Sequence, residues 1–355
     1  MPGVLHVVST TDHRGAEVFA SHLAAALEQH GHPGRIVALA PGPSSAQLPV
    51  PTLGARRLGV GSLRALRALA GRATVVVAHG STTLPAAALA TTGLPVPFVY
   101  RAIGDPAFWS NRVDRRLRVG VALRRAAAVV ALWDAAAAEL TRRHRLQPGR
   151  VHVVPNGVPG ARLLTLTADG RAAARRALGL PEQGRLLAYV GALAPEKDVA
   201  AALHAVGAIP DVRLVIAGDG PEAAALRAEA HSSAPDRVRF LGAIDDVVPV
   251  LAAADALVLP SRTEGIPAAV IEAGLAGLPV VATAVGGLAE VVIDGETGAL
   301  VQPGDVQGLT QAIRNVLEEA ERLGAAARRH CQARFELDAV AAAWARVLDV
   351  AHGAV

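Results

Sequence analysis

Short apolar runs alternate with longer amphipathic stretches along the whole chain, and few folds accept that alternation. In the first half the runs are Val4–Ser9, Arg35–Leu39, Thr74–Ala78, Pro97–Arg101, Ala128–Leu132 and Val151–Val154. In the second they are Leu186–Val190, Arg213–Ala217, Val238–Leu241, Ala256–Leu259, Val280–Thr283 and a short one at Ala299–Val301. A strand that is apolar throughout is buried on both faces, as in a parallel sheet, and parallel neighbours need a crossover, usually a helix. Helices beginning near Ala16, Ser62, Leu84, Asn111 and Asp134 supply the crossovers of the first half. The pattern predicts an α/β chain with two doubly wound, Rossmann-like parallel sheets in series.

The segment 158–184 carries Pro159, Gly160, Gly170, Gly179, Pro181 and Gly184, which predicts a flexible connection with one short helix. The expected domains are residues 1–156 and 157–336, with a final helix in 337–355 packing back on the first. Residues 1–155 hold 18 Arg against 7 acids, whereas 156–355 hold 17 basic groups against 24 acids. That asymmetry points to two bodies with different partners.

At 52% hydrophobic residues the chain can bury a core, which excludes a disordered class. A single Cys, Cys331, excludes an internal disulfide. Met1–Thr11 holds no basic segment followed by a long apolar one, and no later run approaches the roughly 18 apolar residues of a membrane span. The expectation is a soluble, cytoplasmic, unprocessed protein. Of 35 basic residues 34 are Arg, and the single Lys is Lys197. A bias that replaces Lys by Arg nearly everywhere spares the positions where a forked guanidinium cannot stand in for a compact ammonium.

The densest chemistry lies in LPSRTEGIPAAVIEAGLAGLPVVATAVGGLAEVV, from Leu259 onward. A strand ends at Leu259, a loop carries Arg262, Glu264, Gly265 and Ile266, and a helix starts near Pro267, a residue suited to a first helical position. The free amides of that helix, from Ala268, would face the crevice at the carboxyl ends of the strands and make an anion site. Two carboxylates beside it, Glu264 and Glu272, suit a ligand that also offers hydroxyl donors, as a sugar does.

This segment resembles the donor-binding signature of family 4 of the retaining, nucleotide-sugar-dependent glycosyltransferases with the GT-B fold, including its pair of Glu eight residues apart. The resemblance implies that Glu264 contacts hydroxyls of the transferred sugar, that Glu272 contacts the ribose, and that Gly265, Ile266, Pro267 and Ala268 present backbone to sugar and phosphates. A second match is YVGALAPEKDVAAALHAV, in which Gly191 ends a strand and Lys197 opens a helix. The family's loop usually reads G-R-x-x-x-x-K, with both cations on the diphosphate; here Ala192 replaces the Arg, and Arg262 or Arg101 would have to substitute. LVIAGDGP with Gly218, and VRFLGAIDD with Gly242 and Ile244, resemble the family's further donor loops, the latter lying against the base. VHVVPNGV, ending in Asn156, Gly157 and Val158, resembles its hinge.

In the first half the family's Gly-Gly loop is replaced by His13, Arg14 and Gly15, and Ile103 stands where many members carry a His. His79, Arg101, Asp105 and Trp109 are the remaining acceptor-side candidates. Arg at 56, 57, 64, 67 and 72, and at 112, 115, 116, 118, 124 and 125, would form a cationic surface for an anionic acceptor or, peripherally, an anionic membrane. Arg without interleaved aromatics argues against nucleic acid.

The resemblance implies transfer of a hexose-type sugar from a UDP- or GDP-sugar to a hydroxyl acceptor, with retention, with the nucleotide sugar as co-substrate and with no metal or other cofactor. A nucleotide-sugar epimerase, a phosphorylase and a non-catalytic sugar-nucleotide-binding module remain alternatives. A nicotinamide oxidoreductase is disfavoured, since neither half carries G-x-G-x-x-G after its first strand.

Overall fold

The structure is a computed structural model and describes residues 3–12, 15–43, 47–80, 82–104, 113–167 and 170–353, the side chains of 113–115 excepted. The chain divides into two compact units, Met1–Val158 with Leu337–Val355, and Pro159–Glu336.

Six parallel strands form the sheet of the first unit: β1 Val4–Thr10, β2 Gly34–Ala40, β3 Val75–His79, β4 Phe98–Arg101, β5 Ala128–Ala131 and β6 Val151–Val153, in the order β2-β1-β3-β4-β5-β6. The second unit has β7 Arg185–Val190, β8 Val212–Ala217, β9 Val238–Gly242, β10 Ala256–Leu259, β11 Val280–Thr283 and β12 Gly298–Val301, also all parallel, in the order β12-β11-β10-β7-β8-β9. Each strand falls within a residue or so of the apolar run that predicted it. β3, β4, β5, β10 and β11 are buried at every position, because helices cover both faces of a doubly wound sheet.

Strand order reverses between β1 and β3 in the first sheet and between β7 and β10 in the second. In open α/β sheets the crevice at the carboxyl ends of the strands at such a reversal is where ligands bind.

The connection after β6 differs from expectation. It contains two helices, Ala161–Leu164 and Arg171–Ala177, and it is tied down rather than loose. The buried Arg175 donates to the carbonyls of Ala253, Glu182 and Gly184 and forms a 2.7 Å ion pair with Asp255, which in turn accepts from the amide of Leu186 at the start of β7. Glycine and proline spacing does not reveal an anchor made by one Arg.

The core of the first unit runs from β1, β3, β4 and β5 to the helix Leu337–His352 through Val4, Val77, Val99, Val130, Trp344 and Leu348. Trp344 is fully buried. Trp344→Ala should therefore destabilise the protein by about 3–5 kcal/mol, measured by urea unfolding monitored in the first unit.

Candidate active site

The carboxyl edge of the second sheet is built by backbone contacts. Gly191 N donates to Ala217 O and Gly218 N to Gly242 O, carrying the parallel ladder past the ends of β7 and β8. The two loops that follow are joined by Leu193 N to Asp219 O and Glu222 N to Leu193 O, both at 3.0 Å. A Cβ on Gly218 would lie 1.8 Å from Gly191 O, and one on Gly220 2.4 Å from Leu193 O, so glycine is required at both positions.

Across the reversal, the loop after β7 meets the loop after β10. Arg262 N donates to Glu196 O at 2.8 Å, and Arg262 Nε bonds Asp198 Oδ2 at 3.0 Å. Lys197 Nζ sits 2.7 Å from Glu264 Oε1, and the Ser261 hydroxyl donates to the same oxygen at 2.6 Å. The Thr283 hydroxyl in turn donates to Ser261 O. The Glu264 side chain is 6% exposed and that of Lys197 21%, so the pair lies at the boundary of solvent with its ammonium the more open partner. Both side-chain bonds fall on Oε1, which leaves Oε2 open to another donor. Gly286, at φ +56°, lets the loop after β11 close on Glu264, where a Cβ would lie 1.9 Å from Glu264 O, and Gly287 N donates to Gly265 O.

Two local expectations are corrected. Lys197 does not open an α-helix: it ends a 3-10 turn, Pro195–Lys197, and the helix Val199–Gly207 begins only after Asp198, which adopts a left-handed φ of +48°. The helix after β10 also starts one residue later than expected, for Pro267 is extended and caps the helix Ala268–Ala276 without entering it. The amides of Ala268 and Ala269 open that helix and so lack an intrahelical acceptor.

Glu272 is half-buried on the same helix. Burial, and then the charge of Asp246, raise its carboxyl to about 7. Asp246 stays ionised because Arg162 donates to it at 2.7 Å, which holds its carboxyl below the usual range. Gly242 ends β9, and Ile244 lies between it and this aspartate. Burial, and then Glu264, Glu196 and Glu222, push the Tyr189 phenol up, and its hydroxyl donates to Ala192 O at 2.8 Å. Neither Ser261 nor Arg162 was singled out in the sequence, where a lone Ser or Arg in a loop forms no pattern.

In the first unit, His79 and Arg101 end β3 and β4 and are buried side by side. Arg101 bonds Asn156 Oδ1 and stacks 4.0 Å from the Phe19 ring, and burial lowers its guanidinium to about 9, so it remains a cation at neutral pH. His79 Nε2 lies 3.1 Å from His6 Nδ1; burial, then Arg101 and His6, hold His79 well below the usual range, and it is neutral. Ile103 packs against Gly80. Gly15 opens the first helix, and His13, Arg14, Asp105 and Trp109 lie outside the described residues. No group of three His, Cys, Asp or Glu able to hold a metal occurs among the described residues, and no described helix is long and apolar enough to cross a membrane.

Known proteins resemble this arrangement over most of the chain. Residues 13–162 match the family described as Glycosyltransferase Family 4, and residues 170–330 match Glycosyl transferases group 1. The D-inositol 3-phosphate glycosyltransferase of Mycolicibacterium smegmatis is 33% identical over 295 residues, 78% of this chain and 63% of that protein. Its counterpart in Mycobacterium sp. strain KMS is 36% identical over 258 residues, 69% of this chain and 54% of that protein. Models of family 4 and group 1 glycosyltransferases thus together match most of this chain. The chain spans about half the length of several curated relatives it matches. Among solved structures, Anabaena HepE in complex with UDP-glucose aligns with a TM-score of 0.85 at 21% identity, covering 98% of this chain and 100% of that one. Sucrose-phosphate synthase from Thermosynechococcus elongatus aligns at 0.83 and 22%, covering 98% of each. These likenesses establish the GT-B fold for this chain.

The raised Glu272 carboxyl has a consequence for stability. The folded state holds this proton to higher pH than the unfolded chain does, so stability falls as pH rises from about 4.5 to about 7. Glu272→Gln should remove about 1–3 kcal/mol of that fall, leaving the variant relatively more stable at pH 8 than at pH 5 when unfolding curves are compared.

Proposed function

We propose that the chain is a retaining glycosyltransferase that moves a hexose-type sugar from a nucleoside diphosphate sugar, UDP- or GDP-linked, to a hydroxyl acceptor. The observation that supports this most is the convergence of Lys197, Glu264 and the opening of the helix Ala268–Ala276 at the reversal between β7 and β10. An ammonium and free amides suit a diphosphate, and a carboxylate with an open oxygen suits sugar hydroxyls.

In this proposal Lys197 and the amides around Gly265–Ala268 stabilise the departing diphosphate, whose negative charge grows as the bond between the anomeric carbon and the phosphate oxygen breaks. The acceptor oxygen forms its bond to that carbon on the same face, and its proton passes to the departing phosphate oxygen. Glu264 orients the sugar through Oε2, Glu272 accepts from the ribose, and the backbone of Gly242–Ile244 faces the base. Gly191 and Gly218 shape the loops around the diphosphate. Arg262 replaces the cation missing at Ala192, since only its Nε is engaged by Asp198 and its terminal nitrogens remain for a phosphate. The step needs no metal. Gly15, His79 and Arg101 belong to the acceptor-binding unit, where Arg101 and His79 act from within as supports. The charge of that unit supports an anionic acceptor, and peripheral contact with an anionic surface; the phosphorylated polyol in the relatives' names is of that kind.

Nucleotide-sugar turnover and the configuration of the product test the proposal: inversion at the anomeric carbon, or no transfer from any UDP- or GDP-hexose, would overturn it. Lys197→Ala should lower turnover on the order of a hundredfold, because leaving-group charge develops mainly in the transition state. Glu272→Ala should weaken nucleoside diphosphate binding by about 1.5–3 kcal/mol in calorimetry, through loss of a charged acceptor.

A further inference from the structure

The first unit contains a cavity of about 660 Å³ lined by Arg116, Leu117, Gly120, Arg124, Arg143, His144 and Arg145. Arg116, Gly120 and Arg124 are spaced four apart on the helix Val113–Arg125 and form one row. The row faces the last turn of the helix Asp134–His144 and its cap Arg145, held at φ +52°. Both helices lead into the strands β5 and β6, so this end of each lies where the strands begin, at the edge opposite the crevice.

Arginine in the last turn of a helix is expected from the helix dipole, and that accounts for Arg124, which donates to His144 O at 3.2 Å, and for Arg143, which pairs with Glu139 at 3.3 Å. It does not account for Arg116, more than two turns before its helix ends, or for Arg145, beyond the end of the other. Both are exposed, and neither is paired with a described carboxylate. At the floor His144 is 2% exposed and its Nε2 has no hydrogen-bond partner. A Cβ on Gly120 would lie 3.3 Å from both Arg124 Nη1 and His144 Nδ1, so the glycine keeps the floor open. Beside the row, Leu117 and Val121 are 64% and 56% exposed.

We propose that this pocket binds a phosphate group, with the exposed guanidiniums of Arg116 and Arg145 supplying the charge over the floor that Gly120 keeps open. This narrows the anionic-surface contact proposed for the unit to a defined site, and it is independent of the donor site. Two guanidiniums around an open floor match the oxygens of a phosphate better than a flat basic face does. The phosphate is carried either by a lipid headgroup, with Leu117 and Val121 entering the interface, or by a soluble compound.

The full chain carrying Lys197→Ala, which removes the donor-site ammonium, is titrated with inorganic phosphate at constant ionic strength. The unaltered chain is sedimented with phosphatidylcholine vesicles containing either phosphatidic acid or oleate. Adding Arg116→Gln and Arg145→Gln should weaken phosphate or phosphatidic acid binding tenfold or more, while nucleoside diphosphate affinity in the chain with Lys197 intact is unchanged. Loss of vesicle binding with Leu117→Ser and Val121→Ser assigns the lipid source, and binding of inorganic phosphate without binding of phosphatidic acid vesicles by the unaltered chain assigns the soluble one. Binding of neither probe, equal binding by the Gln variant, or equal loss on oleate vesicles, whose charge is carboxylate, would overturn the proposal. Nucleotide affinity, read in the same proteins, reports separately on the donor site.

Discussion

At the carboxyl edge of the second sheet the backbone of one loop lies directly on the backbone of another. Gly218 touches Gly191, and Gly220 touches Leu193, at separations that no side chain could share. This contact fixes where the loop after β7 ends, hence where Pro195–Lys197 turns and where Lys197 stands relative to Glu264. The hydrogen bond from Arg262 N to Glu196 O fixes the other side of the same junction. The placement of one ammonium thus depends on two glycines in a different loop.

The strands were legible because a parallel strand covered on both faces must be apolar throughout, and that requirement writes an uninterrupted run into the sequence. The fold class followed from the alternation alone. Features set by a single long-range contact left no such trace. Arg175, which anchors the linker to Asp255, looks in sequence like any of the other 33 Arg. The 3-10 turn before Asp198 was invisible because PEKD reads as a helix start, and only the left-handed Asp198 separates the turn from the helix. In the candidate site, Glu264, Gly265 and Lys197 could be named from spacing, whereas Ser261, whose hydroxyl completes the coordination of Glu264 Oε1, had no partner in sequence to mark it.

The first unit follows a different logic. Arg101, His79 and His6 are buried together, and His6 Nε2, Arg101 Nε and Trp344 Nε1 have no hydrogen-bond partner. Burying a cation beside neutral imidazoles is costly, and it is offset here by Asn156, by the face of Phe19 and by the charge of Glu17. Asn156 lies between β6 and the end of the unit at Val158, so the guanidinium ties the end of β4 to the segment through which the chain leaves. A neutral residue at Arg101 would free His79 from one source of its lowered pKa but would remove the cation from Asn156 Oδ1 and from the ring of Phe19.

Electrostatics at the candidate site are governed by scarcity. Glu264 is the more buried member of its pair with Lys197, and removing one partner of a buried pair leaves the other uncompensated. A ligand phosphate that draws the ammonium away therefore imposes a cost on Glu264, which the Ser261 hydroxyl meets only in part. Sugar hydroxyls donating to Glu264 would meet the rest, so a nucleotide carrying its sugar should engage Lys197 at lower cost than the same nucleotide without it. Glu272 adds a separate requirement for hydroxyls, met by the nucleoside and not by the sugar, because a carboxyl raised to about 7 by burial and by Asp246 is ionised most readily when a donor such as a ribose hydroxyl reaches it. Two carboxylates and one ammonium thus favour a ligand that offers hydroxyls and phosphate together over one that offers phosphate alone.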